Sequence, residues 1–84
     1  MSEITIIVSK SYSQGMTWLR TNHKRYNLDP QMCRVTTKAA IFKGLEGYNI
    51  IWLRGWAATT SSESIRREVE VARAKGRVKS EITT

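Results

Sequence analysis

The run Ile4-Thr5-Ile6-Ile7-Val8 constrains this chain more than any other stretch. Five β-branched residues in succession are stiff at χ1 and pack well on a pleated surface. They present almost no polar face to water. Such a strand belongs in the middle of a parallel sheet covered on both sides, because a strand with one wet face alternates apolar and polar residues. Parallel neighbours need crossovers of a dozen residues or more, usually helical. The remaining residues should therefore supply helices between strands.

They do. In the segment after Val8, apolar or aromatic residues recur at Tyr12, Met16, Leu19, His23 and Tyr26. This spacing of three to four predicts an amphipathic helix, with Ser11 or Ser13 as N-cap and a basic last turn of His23, Lys24 and Arg25. Pro30 ends helix at the residue before it. Cys33–Thr37 reads as a second strand, the stretch KAAIFKGLEG as a short, poor helix, and Asn49–Leu53 as a third strand closed by Arg54 and Gly55. Thr60-Ser61-Ser62-Glu63 has capping-box spacing. Ile65, Val69 and Ala72 form an apolar stripe behind it, and Gly76 is placed to end that helix in a left-handed conformation. Residues 77–84 alternate apolar and polar, which favours a fourth, edge strand over a frayed tail.

Strands alternating with helices predict an α/β domain with right-handed crossovers. At 84 residues it is one domain. The expected architecture is a minimal three-layer Rossmann-like or flavodoxin-like unit with three parallel strands, or four, in the order 2-1-3(-4). So short a chain covers a sheet incompletely. Apolar surface near Trp18, Phe42 or Trp52 is expected to remain for a partner or for a second copy of the chain.

The net charge of +7, from 14 Lys+Arg against 7 Asp+Glu, gives a pI near 10.1. Such a surface draws nucleic acid, acidic proteins or anionic membranes. A single cysteine, Cys33, excludes an internal disulfide and fits a reducing, cytoplasmic setting. The run at 4–8 is too short for a signal-peptide core, and no stretch approaches the roughly 20 apolar residues of a membrane span.

In open parallel sheets, ligands bind beyond the carboxyl ends of the strands. Lys10, Ser11 and Ser13 follow strand one, Lys38 follows strand two, and Arg54 and Trp56 follow strand three. Each strand thus ends in one cation among hydroxyls, and two helix N-termini share the edge. Phosphate is the natural guest, and Trp56 is a candidate for stacking a base. The loop SKSYSQG matches neither G-x-x-x-x-G-K-[ST] nor G-x-G-x-x-G, and Arg54 stands where a nucleotide hydrolase would carry an acid. The reading is therefore a non-enzymatic anion, nucleotide or nucleic-acid binder without cofactor. One His and one Cys make no metal site, and His23 lies too far along its helix to join the loop. Arg73, Lys75, Arg77 and Lys79 form a second basic patch with few acids nearby in sequence, although Glu63–Arg67 and Arg67–Glu70 have pairing spacing. The alternative is a protein-interaction module that binds or inhibits a host protein through Trp18, Trp52 and Trp56.

Three stretches, ITIIVSKSYSQGMTWLR, RVTTKAAIFKGLEGYNIIWLRGW and the capped, charged last helix, together cover nearly the whole chain. In them the sequence resembles small Rossmann-like α/β proteins of bacteriophages, especially phages of actinobacteria. It also looks like a reduced P-loop or helicase-type unit without catalytic acids. The resemblance implies a phage accessory protein acting in the host cytoplasm. It transfers no site residue.

Overall fold

A computed structural model describes residues 3–84. Its strands are β1 (Thr5–Val8), β2 (Cys33–Thr36), β3 (Tyr48–Trp52) and β4 (Val78–Thr83), and its helices are α1 (Tyr12–Asn22) and α2 (Ser62–Ala74). All four strands are parallel, in the order β2-β1-β3-β4. Residues 78–83 are thus an edge strand. The expected middle helix is a single 3-10 turn, Ala39–Phe42.

β1 is central and every one of its residues is buried. Its side chains feed two cores. Ile6 and Val8 join Ile50, Trp52, Phe42 and Tyr48 beneath Ile65, Val69 and Ala72 of α2. Ile7 joins Leu19 of α1 with Cys33, Ile51 and Leu53 on the other face. Each fully buried isoleucine contributes roughly 1.5–3 kcal/mol relative to exposure. Burial also pushes the Cys33 thiol pKa up, so this cysteine is a packing residue.

α1 approaches the sheet unusually closely, and Gly15 is the reason. A Cβ at that position would fall 2.3 Å from Val35 Cγ1 and 2.8 Å from Ser9 Oγ. The contact adds Gly15 to the buried face beside Leu19, which the spacing anticipates. Gly15 and Leu19 are buried, whereas Tyr12 is 62% exposed. Tyr12 lies three and seven residues before them, on the same helical face, and is exposed as the first residue of α1.

The helix ends follow sequence signals, with one exchange. Ser11 caps α1, its Oγ accepting from Gln14 N at 3.1 Å. The spacing S-x-x-Q is that of a capping box, and Gln14 Oε1 reaches back to accept from Lys10 N at 3.2 Å. The box expected at Thr60–Glu63 does not form: α2 starts after Ser61, which makes no side-chain cap bond. At the far end Gly76 has φ 69°, with Gly76 N donating to Arg73 O and Arg77 N to Ala72 O. Those two bonds are the Schellman closure anticipated for it.

Trp52 and Trp56 line a cleft of about 290 Å³ with Arg66, Val69, Glu70, Arg73 and Thr83. Phe42 is buried, Trp52 is nearly so, and Trp18 is half-buried against the α1-side core with Tyr26 5.2 Å away. The β3–β4 half of the α1 side is also uncovered. A cleft of about 400 Å³ lies there, with Asn49, Ser80 and Ile82 among its lining residues. Two of those three are polar and hydrogen-bonded to each other.

Candidate functional site

Parallel pairing aligns Val8 with Thr36 and with Trp52, and Trp52 with Thr83, so all four strands end at one edge. Lys10, Lys38 and Arg54 each lie two residues beyond a strand end and are exposed. Their loops sit on adjacent strands, spanning two interstrand spacings, or roughly 10 Å. Two of these loops are tied together. Gln14 accepts from Lys10 N and donates from Nε2 to Arg54 O at 3.4 Å. A Cβ on Gly55 would lie 3.9 Å from Lys10 Cδ, so the lysine stem passes beside the β3 loop. The third loop is fixed on the other side of β1, where Ser9 N donates to Thr36 O at 3.1 Å. There Thr36 Oγ1 accepts from Lys38 N and donates to Lys38 O.

Among the described residues, none of Lys10, Lys38 and Arg54 has a carboxylate within 4.0 Å. Ser11 uses its oxygen as the α1 cap, and Ser13 is exposed in the first turn. Both lie where free N–H groups and the positive end of the helix meet solvent. Trp56 takes a different course. Its ring packs 4.4 Å from Trp52 and carries the Arg66 guanidinium 5.4 Å from its centroid. It is therefore held in the α2-side packing.

The second basic patch differs from its sequence reading. Three of its four cations are paired with acids: Arg73 with Glu81 of β4, Arg77 with Glu46 before β3 at 3.9 Å and Lys79 with Glu3 before β1 at 2.7 Å. Parallel addition of β4 beside β3 brings these partners in, a juxtaposition invisible to sequence-local counting. The pairs expected along α2, Glu63–Arg67 and Arg67–Glu70, do not close. Glu81 is the hub, accepting two bonds from Arg73 and one from Trp52 Nε1. The Arg73 guanidinium holds the Glu81 carboxyl below its ordinary range, with Trp52 assisting against partial burial. Glu3 is lowered likewise, by hydrogen bonds from Lys79 and Asn49.

The lone histidine has a structural role. His23 Nδ1 lies 3.2 Å from Leu19 O and 3.1 Å from Arg20 O, so it bears a proton and donates to the end of α1. Among the described residues no three His, Cys, Asp or Glu cluster as metal ligands, and no helix is long and apolar enough to cross a membrane.

Sequence reasoning missed Gln14, the residue that joins two rim loops, and Tyr12, exposed beside them. The S-x-x-Q spacing pointed to the first. Nothing local pointed to the second, because the helical spacing places it on the buried face. No protein-family model, curated protein or solved structure matches the chain.

Proposed function

We propose that this protein is a non-enzymatic binder of phosphate groups, with nucleic acid or a nucleotide as ligand, held at the carboxyl edge of the sheet by Lys10, Lys38 and Arg54. One observation carries this reading. Among the described residues, three exposed cations on three adjacent strand ends have no acid within 4.0 Å, whereas three of the four patch cations at and after the end of α2 are paired. A cation without a partner keeps its full attraction for a phosphate oxygen, and a paired one must first surrender its carboxylate. The α1 N-terminus adds N–H donors and a partial positive charge at the same edge. The resemblance to phage accessory proteins is compatible with such a role.

Titration of labelled oligonucleotides at two salt concentrations, with thermal melts in sulfate and in nucleotide, tests the proposal. Binding that weakens steeply with salt, and a raised melting temperature in either ligand, are expected. No binding at low salt together with no thermal stabilisation by any of them contradicts it.

A further inference from the structure

The cleft lined by Trp52 and Trp56, about 290 Å³ in volume, opens at the same edge as the rim. Trp52 and Thr83, both among its lining residues, are paired at the ends of β3 and β4. Arg66, Glu70 and Arg73 join them from α2. The two indoles lie 4.4 Å apart between centroids, and Trp56 is half-buried. The two arginines differ in their partners. Arg73 is held by Glu81, whereas Arg66, 5.4 Å from the Trp56 centroid, has no carboxylate within 4.0 Å among the described residues. The cleft thus combines aromatic surface with one cation free of acid.

A tight turn ties the cleft to the rim. Trp56 N donates to Leu53 O at 3.2 Å and Gly55 has φ 87°, so Arg54 and Gly55 form the corner of a turn that Trp56 closes. Such a turn spans less than about 7 Å. The Lys10 stem passes beside the same Gly55. Two rim cations therefore flank the turn that carries the Trp56 indole.

Resting on the phosphate-binding reading above, we propose that this cleft takes the base of one nucleotide unit whose phosphate is held by Lys10 and Arg54. The base stacks on indole surface, and the Arg66 guanidinium adds a second planar group of the kind on which bases stack. The volume lies at the low end of the roughly 300–1,000 Å³ of ligand pockets, which suits a single ring system. Inorganic phosphate would satisfy the rim and leave the cleft empty; a nucleotide uses both.

Calorimetric titration with adenosine monophosphate, ribose phosphate and oligoadenylate tests this. The wild type should bind adenosine monophosphate about tenfold more tightly than ribose phosphate. Trp56→Ala should abolish that preference and Arg66→Ala should reduce it about threefold. Neither change should alter the affinity for ribose phosphate or the circular dichroism spectrum. Oligoadenylate binding more tightly than the monophosphate marks a strand as the source of the unit, and the reverse marks a free nucleotide; both support the inference. Equal affinity of the wild type for adenosine monophosphate and ribose phosphate would overturn it and leave the rim reading standing. So would a full preference retained in folded Trp56→Ala and Arg66→Ala. If Lys10→Gln and Arg54→Gln leave ribose phosphate affinity unchanged while Trp56→Ala abolishes the preference, the rim reading fails and the base site stands.

Discussion

The molecule contains two basic regions that look alike in sequence and are unlike in space. At the carboxyl edge, Lys10, Lys38 and Arg54 are exposed and have no carboxylate within 4.0 Å among the described residues. At and after the end of α2, Arg73, Arg77 and Lys79 are each matched with an acid. The difference teaches that charge density alone does not mark a binding surface. The cations around β4 hold an edge strand whose side chains are mostly exposed and whose apolar burial is slight. The rim cations are left over after such pairing.

The largest effect that can sharpen this contrast lies beneath the rim. Gly15→Ala forces a methyl group against Val35 and Ser9. Overpacking of this kind costs about 1–3 kcal/mol, and urea unfolding should show a loss in that range. Because the strain displaces α1 from β1, phosphate binding should fall with it. An unchanged midpoint would mean that α1 is not seated as described.

Next in size is the hub of the β4 region. Glu81→Ala leaves Arg73 and the Trp52 indole N–H without their acceptor, and should cost about 1–2 kcal/mol by urea unfolding. Its affinity for anions should not drop. A Glu81 variant as stable as the parent would remove the structural role assigned to this pair.

Acid should loosen the same region. The folded-state pKa values of Glu81 and Glu3 are depressed, so their contribution is complete above the unfolded carboxyl value of about 4.3. It is lost as pH falls through the lower folded values. Amide exchange across β4 should therefore accelerate, relative to β1, on acidification below about pH 4.3. Equal protection ratios at neutral and acid pH would contradict it. The smallest effect is expected at Arg77→Gln. Its pair with Glu46 is 3.9 Å apart and exposed on the acid's side, so stability should change by about 0.5 kcal/mol or less in thermal melts.

How much of this was legible in the sequence follows the range of each interaction. The β-branched run, the alternation at residues 77–84 and Gly76 are local signals, and the strand order, the edge strand and the helix stop they imply are all present. The placement of Lys10, Lys38 and Arg54 on one edge follows from parallel topology and was equally readable. The close seating of α1 was not, because the approach of Gly15 to Val35, twenty residues apart, leaves no mark in the helix periodicity. The neutralisation of Lys79 was hidden for the same reason, since Glu3 is 76 residues away in sequence. Some local signals also misled: the box at Thr60 and Glu63 does not form, and the middle helix is a single 3-10 turn.

The salt dependence of binding by charge-neutralised variants separates the two regions most directly. Replacing Lys10, Lys38 and Arg54 together by glutamine should lower the slope of log affinity against log salt by about 2 on a single strand, at roughly 0.7 per phosphate. Replacing Arg77 and Lys79 by glutamine should leave that slope unchanged. A slope that falls for the second set and holds for the first would contradict the assignment of the rim as the phosphate site.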